Sequence, residues 1–290
     1  MKKIIILIPV FNDWESLKKL IVEISQHVKF LKEFLFEIIV INDASNIKRP
    51  EISKPNNINS LKILNMKKNN GHARCNAFGI RYIHNNEKFN NLILMDGDGE
   101  DRPEELKGLI SAIINDPENS IVAKRIKRSE GPLFQFLYFM HKLITLIFTG
   151  KKINFGNYSC LTKKDVSALV SKASLWSSYS GTVKKYLKNL KEIDSIRGKR
   201  YFGPSKMSLF KLLIHSFSII AVFKYHVLFR SILIILLLEY FNFYFGNFLI
   251  FFQLTISLFC LLIFIVSFRE KKEDLINSQE NLKSTEEITH

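Results

Sequence analysis

From Tyr240 to Phe268 the chain runs 29 residues without a charged side chain. A helix that crosses a bilayer needs about 20 apolar residues. With Ser231–Leu238 joined on, the apolar region is interrupted only by Glu239. Residues 223–268 are therefore expected to form a transmembrane hairpin, with its turn in Asn242–Asn247 around Gly246. A soluble helix seldom lacks a polar face over such a length. Lys211, Lys224 and Arg230 precede the first span, and Arg269, Lys271 and Lys272 follow the second. Basic residues on both flanks place both ends in the cytoplasm. Glu239 is either functional or simply close to the far interface. The polar tail 269–290 is expected to be flexible and cytoplasmic.

The charge is uneven. Lys and Arg outnumber Asp and Glu by 42 to 27, yet residues 1–123 carry a net charge of only +1. Residues 124–211 carry +15, with Asp165 the only acid between 131 and 191. Such a field attracts nucleic acid, anionic lipid or a phosphorylated substrate. The hairpin next to it favours the lipid-side partners. No nucleic-acid recognition module is present, and the basic residues alternate with membrane-like aromatics. Pro132–Phe148 and Ser205–Lys224 read as basic amphipathic helices in the headgroup region, with a core-packing helix the other reading of the first. Three cysteines exclude a disulfide framework. They and the seven scattered histidines show no ligand spacing.

The first 125 residues alternate. Apolar runs at Ile4–Ile8, Phe36–Ile41, Leu61–Leu64, Leu92–Met95 and Ile121–Ala123 read as strands. Helical patterns lie between them at Trp14–Val28, His72–Ile83 and Pro103–Ile114. The N-terminal apolar run is only about seven residues and ends at Pro9 without a small-residue cleavage site. It reads as a buried strand rather than a signal peptide. Alternation of this kind builds an α/β domain around a parallel sheet, whose ligands bind at the carboxyl ends of the strands. Those ends carry Asn12-Asp13, Asn42-Asp43 and Asp96-Gly97-Asp98-Gly99-Glu100. Two carboxylates at i and i+2 directly after a strand can project toward one divalent cation, with Gly97 and Gly99 permitting the turn.

With these motifs in order, the chain resembles glycosyltransferase family 2. The fold implied is GT-A, and the branch is that of the membrane-anchored polyprenyl-phosphate enzymes related to dolichyl-phosphate mannose synthase. The resemblance rests on Ile8-Pro9-Val10-Phe11-Asn12, Ile41-Asn42-Asp43-Ala44-Ser45, Asn70-Gly71-His72-Ala73-Arg74 and Met95–Glu104. Ala123-Lys124-Arg125 and Arg200–Lys206 complete it. It implies a nucleotide-sugar-binding half at 1–130 and an acceptor-side half at 131–222. Pro9 and Asn12 would line the nucleotide pocket beside Asp13, with Gly71 and Arg74 also on the substrate. Asp43 would accept hydrogen bonds from the base edge. Asp96, Asp98 and Glu100 would hold Mg²⁺ or Mn²⁺ against the diphosphate, Glu100 standing where relatives carry Gln. Arg125 would face the acceptor phosphate, while Arg200, Ser205 and Lys206 grip phosphates from a mobile loop.

One departure bears on the acceptor. Relatives that glycosylate hydroxyls carry an acidic base beside a Trp, but here that stretch is Leu175-Trp176-Ser177-Ser178-Tyr179-Ser180. Asn157 likewise stands where relatives often have Asp. A phosphate monoester is already anionic near neutral pH and needs no base. The resemblance thus implies an inverting transfer from a nucleotide-diphosphate sugar to a polyprenyl phosphate. The site is expected at the cytoplasmic face of the inner membrane. A hydroxyl acceptor on a lipid-linked saccharide and a non-catalytic scaffold of a glycan assembly complex are the alternatives, and homo-oligomer formation stays open.

Overall fold

The apolar run Ile4–Ile8 lies within β1 (Lys2–Val10), near the centre of an eight-stranded sheet. The computed structural model describes residues 1–127, 132–203 and 208–289. Side chains of β1 divide by parity: Ile4, Ile6 and Ile8 enter one core layer, Ile5 and Leu7 the other. A strand covered on both faces reads as an unbroken apolar run for this reason.

α1 (Trp14–Val28) follows β1, and β2 (Phe34–Asn42) and β3 (Ser60–Met66) lead to α2 (His72–Asn86). β4 (Asn91–Leu94) passes through a short 3-10 turn at Pro103–Glu105 into α3 (Leu106–Asn115) and β5 (Ile121–Lys127). All five expected strands and all three expected helices are present. Next come α4 (Pro132–Thr149), β6 (Phe155–Thr162), α5 (Lys163–Leu169), a 3-10 turn at Ala173–Trp176, α6 (Tyr179–Tyr186) and β7 (Lys191–Ile196). The sheet order is β7-β5-β6-β4-β1-β2-β3, with β6 antiparallel to both neighbours and the other strands parallel. α1 and α3 cover one face, and α2, α5 and α6 the other. α2 lies so close to β1 that a Cβ on Gly79 would come within 2.5 Å of Leu7.

The chain then continues through α7 (Leu209–Ala221), α8 (Lys224–Phe245), a turn at Gly246–Leu249 and α9 (Ile250–Ser267). Gly246 turns with φ +68°, a conformation that favours glycine. α8 and α9 are long and apolar enough to cross a membrane, and only 11% and 17% of their apolar windows are buried. A core helix of a soluble domain would bury far more. Glu239 accepts hydrogen bonds from Asn242 and Gln253, about two turns before Gly246. α4 and α7 pack against the pair, where the Phe148 and Phe259 rings meet tilted at 4.6 Å. α4 leaves Phe136 and Phe139 exposed, so it is not a helix of the domain core.

The tail corrects one expectation. After α9 the chain forms α10 (Lys272–Ile276) and β8 (Leu282–Glu287), which adds antiparallel to the free edge of β3. Leu275 is fully buried in the α2-side core. Glu286 pairs with Arg49 at 2.8 Å and accepts from Asn65 at 2.6 Å. An edge strand leaves unpaired backbone groups that a further strand satisfies, and this pairing holds the tail in place. The domain's own sheet thus begins before the apolar pair and ends after it.

Candidate active site

The carboxyl ends of β1, β2 and β4 meet at one edge of the sheet, and each is held by a neighbouring loop. Asn12 adopts φ +53°. Its side-chain oxygen accepts the Asn46 and Ile47 amides at 2.9 and 3.3 Å, and its own backbone N–H donates to Ser45 Oγ at 2.9 Å. Pro9 presents its carbonyl to the turn after β4, 3.0 Å from where a Cβ on Gly97 would stand. Asp43 is 3% exposed, and its two oxygens accept the backbone N–H groups of Asn70 and Gly71 at 2.7 and 2.8 Å. Burial raises its pKa despite those bonds. These bonds tie Asp43, for which the resemblance implied a contact to the base, to the loop before α2.

The acidic turn after β4 carries most of the charge. Asp96 Oδ1 lies 3.2 Å from His72 Nε2 and accepts from Asn157 Nδ2 at 3.1 Å. The Asp96 N–H donates to Asp101 at 2.9 Å, and Arg125 approaches Asp101 at 3.6 Å. Burial pushes Asp96 upward, but the His72 and Arg125 charges outweigh it and lower its pKa. Asp98 behaves in the opposite sense: burial, then the Asp96 and Glu100 charges, push it up to about 6.

Two arginines from the segment after β7 answer this surplus of carboxylates. Arg200 bridges Asp98 and Asp13 at 2.5 Å each, and Arg197 pairs with Glu100. The segment is anchored by backbone bonds from Gly198 to Glu100 and from Tyr201 to Asp98. The Tyr201 ring packs against Gly99, whose φ is +86° and where a Cβ would come within 2.5 Å of the ring. Tyr201 Oη donates to Glu23, and Lys19 Nζ sits 4.3 Å above the ring.

Among the described residues no three His, Cys, Asp or Glu side chains form a metal cage. Mg²⁺ typically takes one or two protein carboxylates and completes its shell with water and phosphate oxygens. Asp96 and Asp98 fit that pattern, and the Arg200 guanidinium already occupies a cation's place on Asp98. Glu100 pairs with Arg197, and among the described residues it does not join Asp96 and Asp98 in one cluster. Arg125 faces Asp101 rather than an open acceptor site. Ser205 and Lys206 lie outside the described residues.

Three site residues were not legible from spacing. His72 and Asn157 converge on Asp96 from α2 and β6, and Arg197 reaches Glu100 from 97 positions away. His72 does lie inside the Asn70–Arg74 motif, so position within a motif was the available signal. His215 on α7 is lowered to about 4 by burial and then by the charges of His72 and His141.

The model of glycosyl transferase family 2 matches residues 5–177, more than half of the chain. The chain belongs to glycosyl transferase family 2. Among its relatives is the undecaprenyl-phosphate 4-deoxy-4-formamido-L-arabinose transferase of Yersinia enterocolitica, 27% identical over 219 residues. That alignment covers 73% of this chain, which spans 65% of the relative's length. A solved glucosyl-3-phosphoglycerate synthase from Mycobacterium tuberculosis superposes with a TM-score of 0.51 at 13% identity, over 78% of each chain. That structure holds Mn²⁺, uridine diphosphate and phosphoglyceric acid. A second mycobacterial protein gives 0.52 at 13% identity over 78% of this chain and 75% of its own. These superpositions show the GT-A fold that the family 2 motifs implied.

Proposed function

We propose that this family 2 chain transfers a glycosyl group, with inversion, from a nucleotide-diphosphate sugar to a polyprenyl phosphate at the cytoplasmic face of a membrane. The observation that carries the acceptor is that Leu175–Ser180, where the relatives that glycosylate hydroxyls carry an acidic base, holds no acid. Ser177 and Ser178 occupy the position of the relatives' acid, and the Ser178 hydroxyl caps α6 through the Gly181 N–H. Asp165 accepts from Ser120 at 2.5 Å, just ahead of β5 and so at the end of the sheet opposite the acidic turn. A phosphate nucleophile needs no proton removed. The name of the Yersinia relative supports the same acceptor. α8 and α9 would keep the acceptor's chain in the bilayer next to the site, with the domain and β8 on one side of it.

On the donor side, Asn12 and the 45–47 loop shape the pocket, and Asp96 and Asp98 would hold Mg²⁺ or Mn²⁺. A divalent cation there supplies charge neutralisation for the departing diphosphate. Arg200 and Arg197 are placed to exchange their carboxylate partners for phosphate oxygens, for which the planar guanidinium is suited.

The test is to incubate the full chain in detergent with radiolabelled uridine- and guanosine-diphosphate sugars, undecaprenyl phosphate and Mn²⁺, and to follow label into the organic phase. Mild-acid release of the sugar from the lipid is the expected result. No transfer to undecaprenyl phosphate, with transfer to a lipid-linked saccharide offered in its place, would point to a hydroxyl acceptor and overturn the reading.

A further inference from the structure

Below the acidic turn, one group of donors is left without acceptors. Arg74, in the first turn of α2, lies with its guanidinium carbon 5.6 Å from the Trp176 ring centroid. Its Nε is buried and makes no hydrogen bond, and no carboxylate among the described residues pairs with it. The Trp176 indole N–H and the neighbouring Ser177 hydroxyl are likewise buried and unpaired, in residues only 3% and 2% exposed. Arg269, at the foot of α9, also has no acidic partner among the described residues. Burial and then the charge of Arg74 lower its pKa. α10, just beyond Arg269, packs on the same 3-10 turn that carries Trp176.

Buried donors without acceptors are rare and point to an absent water or ion. Two like charges brought together raise the energy of the fold unless an anion sits with them. We propose that Arg74 and Arg269, with Trp176 and Ser177 beneath them, form the seat for the phosphate monoester of the lipid acceptor. The position favours a lipid-borne phosphate, because Arg269 ends the apolar helix α9 while Arg74 is one short step along α2 from His72 and Asp96. Arg125 is then free for its observed task beside Asp101. This inference rests on the phosphate-acceptor reading above and gives it a location.

The experiment measures binding of undecaprenyl phosphate to the full chain in detergent, alongside binding of the productive nucleotide sugar with Mn²⁺. R74Q and R269Q should each weaken undecaprenyl phosphate about ten- to a hundredfold, the loss of one charge-assisted contact, with R74K partly restoring it. A melting profile matching wild type certifies that the variants fold, and nucleotide-sugar binding reads whether the pair serves the donor instead. Undecaprenol, lacking the phosphate, should bind wild type and variants alike. Loss of nucleotide-sugar binding instead would assign the pair to the donor diphosphate and overturn the proposal. An equal loss for phosphatidylglycerol vesicles would assign it to bulk lipid, with the same consequence. If wild type binds undecaprenyl phosphate and both variants do so equally well, this seat is wrong while the acceptor reading stands. If wild type binds none, the acceptor reading itself falls.

Discussion

Asp98 shows how much a single residue's environment changes its chemistry. Its carboxylate faces Arg200, and Arg200 also holds Asp13, so a metal arriving without donor must displace a guanidinium. Arg200→Ala should therefore tighten Mn²⁺ binding to the donor-free protein by about tenfold, or ~1.4 kcal/mol, while lowering turnover. Titration calorimetry with Mn²⁺ alone reads the first effect, and weaker Mn²⁺ binding in this variant would contradict it. Asp98→Ala should abolish metal-dependent donor binding and leave the melting profile near wild type, because the residue sits at a strand end. His72 touches Asp96 at 3.2 Å and would act through it. Removing an outer partner of a metal-binding carboxylate typically costs about 10- to 100-fold in metal affinity. His72→Ala should show that loss with Mn²⁺, and an unchanged affinity would reduce the contact to packing. Asp165→Asn should leave turnover within about twofold, since the carboxylate bonds Ser120 far from the acidic turn.

At the scale of elements, the tail gives the sharpest contrast between composition and structure. Residues 269–290 are polar and charged, yet Leu275 is fully buried and β8 pairs with β3. Truncating a buried leucine costs about 2–5 kcal/mol. Leu275→Ala should lower stability by about that amount in denaturant titrations of the full chain, whereas a flexible tail would register no change. Gly79→Ala tests the packing of α2 on β1, because the added methyl would overlap Leu7. Overpacking of this kind costs about 1–3 kcal/mol.

For the whole molecule, the apolar pair and the tail settle which truncations make sense. Because β8 belongs to the domain's sheet, removing everything after residue 223 would strip an edge strand as well as the spans. A chain in which a flexible Gly-Ser linker replaces residues 224–268 should keep donor binding, leave the bilayer more readily and glycosylate long-chain lipid poorly. Topology is tested by thiol labelling in sealed vesicles. Asn247→Cys should react from the side opposite the domain and Lys271→Cys from the domain side. Labelling of both from one side would mean that α8 and α9 lie on the membrane rather than cross it.

The strand and helix pattern of residues 1–125, the acidic turn and the apolar helices were legible in the amino-acid order, because each is written in local spacing. β1 and β2 are apolar runs, Asp96 and Asp98 are two apart, and α8 and α9 lack charge over a continuous stretch. What only the tertiary structure decided are pairings between distant residues of ordinary type. Nothing local to residues 282–287 marks them as the partner of β3, since edge pairing is made by backbone groups that every residue carries. Nothing in the order marks Arg200 for Asp98 or His72 for Asp96, because a charged side chain chooses its partner only once the fold has set which charges share a buried, low-dielectric space. The same holds for Arg74 and Arg269, 195 positions apart in the chain, which the fold brings to the 3-10 turn carrying Trp176, one over its ring and the other through α10.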